Sequence, residues 1–221
     1  MAGAKDDGLQ AALQEGWASA CELYDHLARG GELTELPPGA VRLAPDEAPY
    51  ADGVLGYARY YGTSVTYQQN STFLLGSAAF VAAGMAANAA ANAHARNRAQ
   101  AMAAAQWRDQ ANVRTLLTDQ RLLCDYGGRW LNFWHNGVVE FHGDLSRWLF
   151  ILRYQVGSPI MLHGPAAPWF AVCIARLVYG ERGLRLPVLA PLVQSIVEHR
   201  RPVIRGELSP NDPEPKALPP A

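Results

Sequence analysis

A chain of 221 residues, 49% of them hydrophobic, is long enough for one domain with appendages or two small domains, and too apolar to be disordered as a whole. Its net charge of −1 hides an asymmetry: residues 1–52 carry three basic and ten acidic side chains, leaving sixteen basic and ten acidic, a net +6, on the rest. That balance falls short of a dedicated nucleic-acid binder.

Three widely spaced cysteines, Cys21, Cys124 and Cys173, argue for reduced thiols in the cytoplasm and against a disulfide framework or structural zinc. The first ten residues include Asp6 and Asp7 and no apolar run, unlike a secretory leader.

Residues 1–35 hold the first element. Leu9, Leu13, Trp17, Cys21, Tyr24 and Leu27 recur at helical spacing from Asp7 to Ala28, and Gly30-Gly31 stops the pattern. The stripe suits a helix that covers its own domain's sheet, or one that docks on a partner. Residues 36–70 combine a stiff linker, Leu36-Pro37-Pro38-Gly39, with two tyrosine-rich runs, Val54–Tyr61 and Ser64–Gln69, read as an opening β-hairpin.

Residues 71–112 are the most unusual. Phe73–Ala93 is uncharged and about as long as a bilayer-spanning helix, and Gly76, Ser77 and Gly84 are small residues that let helices approach closely. Alanine contributes little apolar area, however, and Asn88 and Asn92 are costly in hydrocarbon. If the strands before this tract pair with those after it, both flanks lie on one side of a membrane, which a single crossing forbids. The tract is then a soluble helix, an interfacial helix or a re-entrant hairpin broken near Gly84; a long helix that packs on copies of itself is the functional expectation, against one packed on its own sheet.

Residues 113–180 alternate short apolar runs with turn signals. Val113–Leu117 and Arg121–Cys124 flank Thr118-Asp119-Gln120; Gly127-Gly128 and Asn136-Gly137 mark two further reversals, the latter suited to a two-residue type I′ hairpin. In that register His135 faces Val138, Phe133 faces Glu140 and Leu131 faces His142, with Trp130, Trp134, Val139 and Phe141 on the buried side. Trp130, Trp134, Trp148 and Trp169 are read mainly as core. A strand with Trp148, Phe150, Leu152 and Tyr154 on one face follows, then Ile160–His163. After Gly164-Pro165 the period becomes helical through Trp169, Val172, Cys173, Arg176 and Leu177 to Gly180. Residues 181–206 contain a last helix, with Leu189, Leu192, Val193 and Ile196 on one stripe, and the Pro-rich residues 207–221 read as a disordered tail.

Leu43-Ala44-Pro45-Asp46-Glu47 together with Thr118-Asp119-Gln120-Arg121-Leu122 resembles the "L-x-P-G-E … T-x-x-R-L" pattern of bacterial PH/GRAM-like domains, with Asp46 where Gly is usual. Gly128–Trp134 and Leu162–Trp169 are similar to uncharacterised proteins of high-G+C bacteria. The resemblance covers about half the chain. It implies an α+β fold, a PH-like antiparallel sheet or barrel capped by a C-terminal helix, with the alanine-rich helix inserted, and a binding or scaffolding role. No catalytic residue set carries over.

No G-x-S-x-G, H-E-x-x-H or phosphate-loop signature occurs. His135, Glu140, His142 and Asp144 are spread along the proposed hairpin and read as surface polar groups rather than a metal or acid–base site. Arg114, Arg121, Arg129, Arg147 and Arg153 are the candidate contacts for an anionic ligand. The expectation is a non-enzymatic protein without cofactor or metal, cytoplasmic or membrane-associated, acting on protein partners, on itself or on a membrane surface. A single-pass membrane protein and a hydrolase using His142 and Asp144 are the rivals.

Overall fold

Pro49–Tyr61 forms β1, the strand that ties the sheet together. The computed structural model describes residues 2–62 and 104–206, so the predicted strand Ser64–Gln69, the helix through Gly76, Ser77 and Gly84, and the tail from Ser209 lie outside the described residues. The remaining strands are β2 (Gln106–Thr118), β3 (Arg121–Tyr126), β4 (Arg129–Trp134), β5 (Val138–Asp144), β6 (Leu149–Tyr154) and β7 (Ile160–His163). All pair antiparallel in the order β4-β3-β2-β1-β7-β6-β5. β1 is thus hydrogen-bonded to β2 on one edge and to β7 on the other. Gly56 shows this directly, being partnered by both Asn112 and His163. The seven strands curl into a half-barrel.

Alternation sets the concave face. Ala51, Leu55 and Tyr57 of β1, Val113, Thr115 and Leu117 of β2, and Phe150 and Leu152 of β6 are all buried. β2 carries an irregularity opposite Ala58, where the register shifts between Tyr57↔Ala111 and Arg59↔Arg108 and Asp109 adopts φ 55°. Such a bulge adds local twist. The β3–β4 turn has Gly127 at φ 60° and Gly128 at φ 79°, the positive pair a type I′ turn demands and glycine tolerates.

Three helices complete the chain: α1 (Ala2–Ala28), α2 (Ala167–Tyr179) and α3 (Ala190–Gly206). α2 follows the expected start, with Pro168 in its first turn, and every residue from Ala167 to Ala175 except Trp169 is buried. Its Phe170 lies over Gly53, where a Cβ would already be in contact with the ring. Tyr179 stacks on Phe141 of the edge strand β5.

α1 packs on α2 and α3 rather than on the sheet, so it forms an outer layer and not the sheet cover expected of it. Gly16 allows the approach, since a Cβ there would overlap the Pro165 carbonyl. Trp17 fixes α1 sideways: its ring meets Trp148 edge-on at 5.5 Å, and its indole N–H donates to Ser195 Oγ at 3.1 Å. No described helix is long and apolar enough to cross a membrane.

The Asn-Gly hairpin is not formed. β4 pairs only with β3 and β5 only with β6, while His135–Gly137 makes a single 3-10 turn between them. Backbone groups that a hairpin ladder would need are used elsewhere. His135 N–H donates to the Gln120 carbonyl at 3.0 Å, and the Gly137 carbonyl accepts from Gln155 N–H at 2.8 Å. The proposed pairings of Phe133 with Glu140 and Leu131 with His142 therefore do not occur. Of the expected buried face, Phe141 alone is fully buried, Trp134 is 45% exposed and Val139 59% exposed. None of Trp130, Trp134, Trp148 and Trp169 is fully buried.

Candidate functional site

Glu47 closes a tight turn on itself: its N–H donates to the Ala44 carbonyl at 3.2 Å while its Oε2 accepts from Ala44 N–H at 3.0 Å. The carboxylate, with its side chain fully buried, then takes both edges of one guanidinium. Arg121 Nε donates to Oε1 and Nη2 to Oε2, each at 2.7 Å, and Thr118 Oγ1 donates to Oε1 at 2.8 Å. This is a bidentate pair with its remaining lone pairs satisfied, the geometry in which a buried ion pair is well compensated.

Burial alone would raise the Glu47 pKa. The Arg121 hydrogen bonds, the Ala44 N–H, the Thr118 hydroxyl and the Arg121 charge outweigh it and bring the carboxyl down to about 2. Glu47 comes from the motif Leu43–Glu47, and Thr118 and Arg121 from the motif Thr118–Leu122; the fold brings all three residues together.

The clamp extends outward from Arg121. Its Nη1 donates to Asn132 Oδ1 at 2.8 Å, and its guanidinium sits 4.7 Å from the Trp134 ring centroid, a cation–π contact. The turn between β2 and β3 anchors further segments. Asp119 Oδ1 accepts from Ala48 N–H at 3.0 Å, and the Thr118 carbonyl meets His135 Nε2 at 2.9 Å. A carbonyl only accepts, so Nε2 bears the proton. Burial lowers the His135 pKa, and its Nδ1 is buried without a partner. The clamp therefore fixes where residues 132–137 lie.

Those residues wall a cavity of about 370 Å³, bounded opposite by residues 154–158 and inward by Arg59 at the end of β1. Beneath it, Phe133 of β4 meets Tyr154 of β6 at 5.8 Å and Tyr57 of β1 at 6.1 Å, so aromatic rings bridge the two arms of the curl. Arg59 Nε, Tyr154 Oη and Tyr57 Oη are buried with no hydrogen-bond partner. Burial pushes both tyrosine hydroxyls upward in pKa, so they remain proton donors.

Two larger grooves flank α1: about 560 Å³ between α1, the linker and α2, and about 700 Å³ between α1, Trp148 and α3. Among the described residues, no buried unpartnered side-chain atom lines either groove. The smaller cavity is thus the one with unmet polar chemistry.

The five arginines expected to meet an anion have different surroundings. Arg114 pairs with Asp52 at 2.5 Å and lies 6.0 Å over Trp130; Arg153 pairs with Glu140 at 2.7 Å; Arg121 is the clamp. Arg129, at the start of β4, and Arg147, in the 3-10 turn 145–147, are exposed. His142 Nδ1 lies 3.5 Å from Glu140, and Asp144 Oδ1 accepts from Ser146 N–H at 3.1 Å. Among the described residues no group of three or more His, Cys, Asp or Glu converges as metal ligands.

Arg59 was missed in the sequence because it lies inside a tyrosine-rich strand whose cavity-forming neighbours are more than seventy residues away. No protein-family model matches the chain, and no curated protein matches it.

Proposed function

We propose that this is a non-enzymatic PH/GRAM-like protein that acts through protein–protein or membrane-surface contacts and associates with copies of itself through the small-residue tract at 73–93. The observation that carries the reading is the strand order: β1 paired to both β2 and β7 in a curled seven-stranded sheet, with α2 laid across the curl. The convergence of Glu47, Thr118 and Arg121, three of the residues of the resemblance, supports it. Tyr61 and Gln106 are cross-strand partners, so the chain leaves and re-enters the sheet at adjacent positions. That favours an inserted segment over the rival with a single bilayer crossing at Phe73–Ala93, because both ends of the insertion lie on the same side.

The test compares the full chain with a version in which residues 62–105 are replaced by Asn-Gly, a two-residue loop suited to the Tyr61↔Gln106 pair. Light scattering and co-sedimentation with phosphatidylserine vesicles are measured on both. The full chain self-associates or pellets with vesicles, and the shortened chain is monomeric and stays in the supernatant. A full chain that is monomeric and ignores vesicles contradicts the reading.

A further inference from the structure

We propose that the cavity at the end of β1 binds a small monoanionic organic acid, with its carboxylate on the guanidinium of Arg59. At about 370 Å³ the cavity falls in the lower part of the range of small-molecule sites, roughly 300–1,000 Å³. Among the described residues that line it, Arg59 alone carries a charge; the others are amides, a serine, glycines, a valine and aromatic rings. One cation with no acid among the described lining residues selects a ligand with one negative charge.

The unpartnered atom is Nε, and Nε with its neighbouring Nη is the edge of a guanidinium that matches the two oxygens of a planar carboxylate. A buried N–H with no acceptor is costly, and a carboxylate placed there removes the cost. Tyr154 Oη, buried, unpartnered and protonated, supplies a second donor. One further contact steadies Arg59: its guanidinium lies 5.9 Å from the Tyr61 ring, and Tyr61 is held in turn by Arg108 at 5.7 Å from the same ring and by its Oη, which donates to Asp109 at 3.0 Å.

The organic part of the ligand has an apolar wall. Phe133 and Tyr154, in contact with each other at 5.8 Å and tilted by 40°, form one continuous apolar surface against which a small aromatic or branched aliphatic group can lie. Asn132, Asn136, Gln155 and Ser158 surround it with neutral polar groups. A phosphate dianion would bring a second charge that no described lining residue balances.

The experiment titrates the full chain with sodium phenylacetate, with the uncharged phenylacetamide and with inorganic phosphate, reading backbone amide shifts at Gly137 and Gln155. Phenylacetate produces a saturable shift, while phenylacetamide and phosphate bind at least roughly tenfold more weakly. Arg59→Gln weakens phenylacetate by roughly tenfold or more, and Arg59→Lys, which keeps the charge but not the fork, restores only part of it. Phenylacetamide binding as well as phenylacetate, phosphate binding better, or no saturable shift at all in the unmodified chain overturns the proposal without reliance on any variant. An Arg59→Gln protein that is folded by circular dichroism and binds unchanged also overturns it. A chain that binds phenylacetate but neither self-associates nor meets vesicles retires the proposed function and leaves this site standing; the reverse result does the opposite.

Discussion

The two halves of β1 are covered by different materials. Its first half, at Ala51 and Gly53, faces α2, a helix of Phe, Val, Ile and Ala side chains with no polar group turned inward except the buried Cys173 thiol. Its second half, at Tyr57 and Arg59, is covered by Tyr126, Phe133 and Tyr154 reaching across the curl. The helix covers its half without stranding a polar atom, and the groove of about 560 Å³ beside it has no buried unpartnered side-chain atom among its described lining residues. Rings from opposite arms leave space and strand polar atoms, and that space is the cavity. Stability is therefore expected to reside in the α2 half and binding in the tyrosine half, with the Glu47–Arg121 clamp holding the second in place.

The largest effect should come from the helix-covered half. Phe170→Ala removes a ring that is 3% exposed and leaves a void under Gly53, so chemical denaturation should show a loss of about 3–5 kcal/mol. A loss below about 1 kcal/mol would mean that α2 is not the main cover of the sheet.

Next comes the clamp. Glu47→Gln leaves the Arg121 charge without its partner, at a cost of about 3 kcal/mol, and should speed amide exchange at Asn136 and Gly137 while sparing Ala171–Ala175. The same group sets an acid dependence. Its folded pKa of about 2 lies below the ordinary carboxylate value, so the folded state binds fewer protons there than the unfolded state does. The stabilisation is complete above about pH 4.5 and is lost as pH falls toward 2, and the Glu47→Gln protein should lack that part of the acid limb. His135 acts in a higher window. Burial lowers its pKa, so its contribution is complete above about pH 6.5 and declines as pH falls from there through the lowered value; His135→Gln should flatten that segment.

The smallest effect belongs to the tyrosine half. Tyr154→Phe deletes a hydroxyl with no partner, so stability should stay within about 0.5 kcal/mol of the parent or rise slightly. A loss near 2 kcal/mol would show that the hydroxyl is bonded in solution and would weaken the contrast between the halves.

Much of the scaffold could be read from local signals. Gly127-Gly128, the run Ile160–His163 and the change of period after Pro165 each mark an element that the fold realises at or near those residues. What local signals could not supply was long-range competition for backbone groups. Asn136-Gly137 has the composition of a type I′ turn, yet neither residue adopts positive φ, because Gln120, Thr118 and Gln155 from other turns take the hydrogen bonds around it. The arginines show the same limit. Arg114 and Arg121 look free in sequence, but Asp52 and Glu47, 62 and 74 residues away, neutralise them. Arg59 was hidden for the converse reason: nothing adjacent to it in sequence marks it as a cation that faces a cavity.

Backbone nuclear Overhauser contacts of Gly56 test the central architecture most directly, since that residue is paired on both edges of β1. Cross-peaks from Gly56 to Asn112 and to His163 are expected in the same folded species. Contacts to only one of the two, or to neither, would contradict a single sheet built from both sides of the alanine-rich tract.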